Sequence, residues 1–186
     1  MIGMVNDLLD AAKLETSGIG IEMSSVLCDD AVHEVVQQMT PVASQKNLTL
    51  RANAPDSVVC WADPVRLSQV LTNLVANAIK FSKSGVIEVQ VVDAGGVPTV
   101  EVHDQGVGID PDQLDSIFDA YDSGSNGSGR RDSSGLGLAI SRSLVEAKDG
   151  VIPAHSADPG QGSTFRVTLR SPNGQSNASR KAKLAV

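Results

Sequence analysis

Apolar side chains recur along this chain with two periods, and the period changes from segment to segment. Met1, Met4, Val5, Leu8, Leu9 and Ala12 fall on one helical stripe with Asn6, Asp7, Asp10 and Lys13 opposite, so Met1–Glu15 reads as helix. The stripe begins without a cap and looks like the tail of a longer helix; Thr16-Ser17-Gly18 stops it. Gly20–Leu27 alternates like an edge strand, and Asp29 or Asp30 is placed to cap a helix with Ala31, Val32, Val35, Val36 and Met39 on one face. Leu48–Ala52 and Val58–Trp61 read as a pair of strands about Pro55-Asp56. Asp63-Pro64 opens the strongest helical pattern, which runs through Leu67, Val70, Leu71, Leu74, Val75, Ala78 and Ile79 to Phe81 before Ser84-Gly85 ends it. Val86–Val92 and Thr99–Val102 alternate about Gly95-Gly96, the pattern of a hairpin. A short helix over Pro111–Phe118, a helix from near Gly135 to Lys148, and strands at Val151–His155 and Thr164–Leu169 complete the pattern.

Two stretches have no period. Asp122–Ser134 is Gly/Ser-rich with Arg130, Arg131 and Asp132, too polar to pack and long for a connector, which is the composition of a functional or disordered loop. From Ser171 onward Ser, Asn, Gly and Lys leave little to bury, and disorder is expected. The whole length of 186 residues suits one domain with a short appendage, and 41% hydrophobic with 20% charged residues is an ordinary soluble balance. A net charge of -7 repels phosphate backbones, and 3% aromatics offer few stacking platforms, so no nucleic-acid partner is expected. No apolar run approaches the ~18–20 residues that span a bilayer, no basic-then-apolar leader is visible, and no membrane contact by this domain is expected. Cys28 and Cys60 stand far apart, outside any CxxC; two lone cysteines could pair, but they read as buried free thiols, and they form no metal set with His33, His103 and His155.

Chemistry concentrates in three segments. In Asn73–Phe81 the residues Asn73, Asn77 and Lys80 are spaced four and three apart, so two amides and an ammonium leave one helix face. An amide oxygen is a hard ligand for Mg²⁺ and a lysine is a point charge for phosphate, although a solvent-facing helix can carry the same residues. Asp104-Gln105-Gly106-Val107-Gly108 follows a strand directly; its glycines permit close backbone approach to a ligand, and its Asp can accept from an exocyclic amine or simply close a turn. Gly135-Leu136-Gly137-Leu138 opens a helix, where exposed N–H groups attract anions. No GKS or GKT follows and no strand precedes it, which excludes a P-loop and a Rossmann fingerprint.

In this order the segments resemble the ATP-binding catalytic domain of sensor histidine kinases. Asn73–Phe81 is similar to the N-box, Asp104–Gly108 to the first glycine box, Phe118 with Tyr121 to the F-box, and Gly135–Leu138 to the second glycine box. Gly160-Gln161-Gly162-Ser163-Thr164-Phe165 resembles the closing GxGSTF turn and strand. The resemblance implies a two-layer α/β sandwich, a mixed sheet covered on one face by helices, with an ATP lid over Asp119–Ser134. It implies three parts: residues 1–17 as the end of the second dimerisation-domain helix, 18–170 as the catalytic domain, and 171–186 as a tail.

By the same resemblance Asp104 would bond the adenine amine, Gly106, Gly108 and Ile109 would shape the pocket, and Thr164 would close the adenine end. Asn77 would ligate Mg²⁺ and, with Lys80, act on the phosphates beside Asn73. Gly135, Leu136, Gly137 and Leu138 would meet the phosphates at the helix start, Phe118 would stand at the lid, and Arg130 or Arg131 would reach the γ-phosphate. The implied reaction is transfer of the γ-phosphoryl of Mg·ATP to a histidine on a dimerisation domain; this domain would be cytoplasmic, in a homodimeric parent, membrane-anchored or soluble, that then serves a response regulator. His33-Glu34 imitates the acceptor pair, but Val35-Val36-Gln37 follows, so His33 reads as a surface residue of the catalytic domain. Ser133, Ala120 and Lys148-Asp149 depart from the usual Gly, Pro and Met-Gly. Hydrolases and conformational clamps of the same superfamily place a Glu where Asn73 stands, and Asn73 cannot act as a base. A pseudokinase-like binding module is the other rival, set against by Asn77, Asp104 and Gly137.

Overall fold

A computed structural model of the chain describes residues 22–55, 57–93, 95–114, 116–119, 136–147, 150–156 and 160–172. The expectations for Met1–Glu15, for Asp122–Ser134 and for the chain beyond residue 172 lie outside them. Strand β1 (Ser24–Leu27) runs into helix α1 (Cys28–Gln45), followed by β2 (Leu48–Asn53), β3 (Val59–Ala62) and helix α2 (Pro64–Phe81). The long pair β4 (Gly85–Asp93) and β5 (Pro98–His103) comes next, then two short 3₁₀ turns, helix α3 (Gly137–Glu146), and strands β6 (Ala154–His155) and β7 (Thr164–Thr168).

Five strands form a mixed sheet in the order β2-β4-β5-β7-β6. β2 and β4 are parallel, Leu48 facing Gly85 and Asn53 facing Gln90; the other pairings are antiparallel. Alternation decides which face the helices take. Ile87, Val89 and Val91 of β4, Val100 and Val102 of β5, and Phe165 and Val167 of β7 are buried, and they meet the apolar stripes of α1 (Val32, Val35), α2 (Leu71, Leu74, Val75) and α3 (Ile140, Leu144) in one core. The intervening positions Gln90, Glu101, His103, Thr164 and Arg166 form a polar network on the opposite face. This is the two-layer α/β arrangement expected from the sequence.

Four expectations are corrected. Leu48–Ala52 and Val58–Trp61 do not pair: β3 joins β1 in a separate antiparallel ribbon, with Val26 opposite Cys60, while β2 takes β4. Alternation specifies a strand's face and says nothing of its partner. Neither Asp29 nor Asp30 caps α1; Leu27 holds the cap position with extended backbone and both carboxylates lie in the first turn, where the helix dipole favours them. Pro111–Phe118 is not one helix but two 3₁₀ turns, Pro111–Gln113 and Ser116–Phe118, as suits a segment too short to support an α-helix alone. The strand expected over Val151–His155 shrinks to Ala154–His155 plus a single bridge from Val151 to Thr168.

Candidate functional site

Helix α2 organises the site because both of its ends are held. At its start the Asp63 carboxylate accepts from Val65 N at 2.9 Å and Arg66 N at 3.1 Å, the cap expected from Asp63-Pro64. At its end Lys46 Nζ, at the close of α1, donates to Ile79 O at 2.8 Å and Lys80 O at 3.3 Å. The buried stripe then fixes which face turns outward, and Asn73, Asn77 and Lys80 are on it. Asn73 Nδ2 reaches Gly137 O and Ser141 Oγ, both at 3.3 Å, and so ties α2 to the first turn of α3. Ser141 is fully buried and donates to Gly137 O at 2.8 Å, a role that the sequence did not single out. Asn77 is half-buried and has no hydrogen bond among the described residues. Lys80 is exposed, its ammonium 4.6 Å from the centre of the Phe81 ring.

Asp104 leaves β5 at the other side of this helix end and is buried. Its Oδ1 accepts from Gly106 N at 2.7 Å, its Oδ2 from Ser163 Oγ, and its own amide donates to Ser163 O at 2.9 Å. Val107 N donates to Phe81 O at 3.3 Å, so the loop after Asp104 sits on the C-terminal end of α2. Two glycines make this possible. A Cβ on Gly106 would stand 2.7 Å from Asp104 Oδ1 and 2.8 Å from Phe81 O. One on Gly162, whose φ is +78°, would lie 2.0 Å from Asp104 O. Gly108 adopts φ +72°, and Ile109 N donates to Ser156 Oγ, which in turn donates to Gly162 O.

Two expected site residues make further contacts in the fold. Strand alternation turns Thr164 to the open sheet face, where its hydroxyl bonds His103 Nδ1 at 2.9 Å, and the neighbouring Ser163 supplies the hydroxyl on Asp104. The signal for Ser163 was present in the GxGSTF motif, one residue earlier. Phe118 is buried edge-to-face against Phe165 with the Arg142 guanidinium over its ring, so it anchors the segment's start within the core. At α3, Leu136 is buried and Leu138 half-buried; Leu136 at the cap position makes no side-chain cap among the described residues. Gly135, Arg130, Arg131, Tyr121 and the departures at Ala120, Ser133 and Lys148-Asp149 lie outside the described residues. His33 is exposed on α1, as expected, with Nδ1 on Asp29 O at 2.9 Å.

An apolar cleft lined by Met23, Trp61, Leu67, Val70, Leu144 and Leu169 lies toward the N-terminal end of α2, away from Asp104. No helix among the described residues is long and apolar enough to cross a membrane.

Residues 62–173 match the family described as Histidine kinase-, DNA gyrase B-, and HSP90-like ATPase. The chain is 31% identical over 188 aligned residues to the sensor histidine kinase GacS of Pseudomonas protegens, covering 96% of this chain and 20% of that protein. It is 35% identical over 175 residues to the signal transduction histidine-protein kinase BarA of Escherichia coli K12, covering 89% and 19%. The chain thus spans about a fifth of the length of the curated relatives it matches. Among solved structures, full-length ShkA in complex with AMPPNP superposes with a TM-score of 0.79 at 29% identity, over 91% of this chain and 35% of that one. The catalytic domain of the histidine kinase ThkA, in a nucleotide-free form, shares the fold with a TM-score of 0.69 at 24% identity, over 81% and 96%.

Proposed function

Since the chain belongs to the family of histidine kinase-, DNA gyrase B- and HSP90-like ATPases, we propose that it is the ATP-binding catalytic unit of a sensor histidine kinase, handing the γ-phosphoryl of Mg·ATP to a histidine on a dimerisation domain. One observation carries this reading: three segments distant in sequence converge on α2, with Phe81 O receiving Val107 N and Asn73 Nδ2 reaching Gly137 O, each at 3.3 Å. A pocket built that way has an acceptor at one end and helix-start amides at the other, the polarity of a nucleotide.

The Asp104 carboxylate has acceptor capacity beyond Gly106 and Ser163 and takes the exocyclic amine of adenine, with Ser163 as the hydroxyl at that end. The amides at the start of α3, at Gly137 and Leu138, take phosphate oxygens, helped by the helix dipole. Lys80 adds a point charge on the same side. The half-buried Asn77 amide, without a partner among the described residues, fits a magnesium ligand. When bound there, Mg²⁺ would neutralise charge on the phosphates. Arg130 or Arg131 reaches the γ-phosphate from the lid. Residues 1–17 belong to the dimerisation helix, 18–170 to the catalytic domain and 171–186 to a tail. This domain is cytoplasmic, and its parent is a homodimer with a response regulator downstream. Against a hydrolytic clamp stands Asn73, whose amide holds α3 and offers no base for water.

Nucleotide titration with and without Mg²⁺, repeated on Asn77→Ala, tests the reading. The metal should raise affinity in the native chain and not in the variant. Metal-independent binding by the native chain would reduce it to a binding module.

A further inference from the structure

A second reactive pair lies outside this site. Cys28 is the residue at which β1 gives way to α1, and Cys60 lies in β3, the strand paired with β1. Cys60 stands opposite Val26 and the amide of Cys28 donates to Val58 O at 2.9 Å, so the two cysteines are diagonal neighbours across the ribbon. Residues two apart share a strand face, and here it is the buried one: both cysteines are 0% exposed and free. Their proximity separates their chemistry. Cys28 is pushed well above the ordinary thiol value by the neighbouring Cys60 and by burial; Cys60 is held below it by Cys28, against the upward push of burial. A thiolate-prone sulfur beside a protonated one is the arrangement of an attacking and a resolving cysteine.

We propose that Cys28 and Cys60 form a reversible intramolecular disulfide on reaction with a hydroperoxide, stapling β1 to β3. Cys60 sulfur attacks one peroxide oxygen; the S–O bond forms, the O–O bond breaks, and the leaving oxygen takes a proton. Cys28 sulfur then attacks the sulfenic sulfur of Cys60; the S–S bond forms, the S–O bond breaks, and hydroxide leaves as water with the Cys28 proton. Two thiols lose two electrons in total, and the hydroperoxide is reduced to water and an alcohol, or to water alone from hydrogen peroxide. Diagonal neighbours across an antiparallel ribbon are about 7–8 Å apart at Cα, so closing the pair to disulfide geometry takes a small shift of the ribbon. A two-stranded ribbon of four-residue strands is marginal on its own, and with Ser24, Ser25 and Leu27 exposed along β1, local opening admits a small oxidant. The staple matters because this ribbon is where the chain joins the domain: Glu22 N bonds Asp63 Oδ2, the cap of α2, at 2.9 Å.

The test treats the full chain with hydrogen peroxide and follows intact mass and non-reducing peptide maps. Expected are loss of two hydrogens, one linked peptide joining Cys28 to Cys60, and reversal by dithiothreitol. The oxidised form should also show slower hydrogen exchange at residues 24–27 and 59–62 and a Tm higher by roughly 5–10 °C. Oxygen addition without linkage, intermolecular dimers, or an unchanged mass under conditions that oxidise the unfolded chain would overturn the proposal. In Cys28→Ser the reaction should stop at a dimedone-trappable sulfenic acid on Cys60, and no adduct there overturns the proposed order of attack. If that variant does not fold, the native mass measurement decides alone.

Discussion

Replacing Asp104 by Asn keeps the side chain's size but removes its charge and leaves one oxygen to do the work of two. That carboxylate already receives Gly106 N and Ser163 Oγ, so the amide must orient against one of them or against the adenine amine. A lost charge-assisted hydrogen bond is worth about 1.5–3 kcal/mol, so ATP affinity should fall roughly ten- to hundred-fold in a variant that still folds, as isothermal titration will measure. The hydroxyl on Asp104 gives a sharper comparison. Ser163→Ala should weaken ATP binding about five-fold or more, whereas Thr164→Val, on the opposite face, should leave it near native. Equal losses from both would return Thr164 to the site.

Glu101 shows the same balance of opposing effects at a residue outside the pocket. Burial pushes its carboxyl up, but hydrogen bonds from Gln90 and Arg166 and the charges of Arg166 and His103 outweigh it and hold the group below the usual carboxylate range. A depressed carboxyl stabilises the fold above its unfolded-state value and loses that contribution as pH falls through the folded one. Below about pH 4 the native chain should therefore lose more Tm relative to neutral pH than Glu101→Gln does, which a pH series of thermal melts will check.

At the scale of the element, α2 carries most of the consequence. Asp63 satisfies two of its first amides and also binds Glu22 N, while Lys46 closes its last carbonyls. Asp63→Ala should cost about 1–2 kcal/mol, seen as a lower denaturation midpoint with little change in m, since the cap is lost and the core is not. This helix was readable in advance because its apolar spacing runs unbroken over five turns and Asp-Pro marks its start. The strands were readable as strands but not as a sheet. β2 and β3 each alternate, yet one joins β4 in parallel and the other joins β1, a choice made by how the helices cover the core. The segment Pro111–Phe118 read as one short helix and became two 3₁₀ turns, being too short to support an α-helix alone, with Phe118 packed on Phe165.

At the scale of the molecule, the proposed function leads to the expectation that the chain binds nucleotide without phosphorylating itself. His33 is exposed on α1, His103 is bonded to Thr164 and Glu101, and His155 lies on the short strand β6, while Asn73, Asn77 and Lys80 are on α2. Phosphoryl transfer depends on in-line positioning of the nucleophile. This chain incubated with γ-labelled ATP and Mg²⁺ should give no acid-labile, base-stable label, and a dimerisation domain from its parent supplied in trans should become labelled. Strong labelling of the chain alone, lost in His33→Gln, would reverse that assignment.

By itself the sequence determined the elements with strong periods, the α/β class, the N-terminal cap of α2, and the chemical segments at Asn73–Phe81, Asp104–Gly108 and the start of α3. These are local properties, set by spacing, turn chemistry and side-chain type. Only the tertiary structure decided that β1 pairs with β3 and β2 with β4, that Ser163 rather than Thr164 meets Asp104, and that Cys28 meets Cys60. Strand alternation leaves the partner and the register open, and a one-residue shift exchanges the two faces; packing the sheet under its helices selected one register from those the pattern allowed.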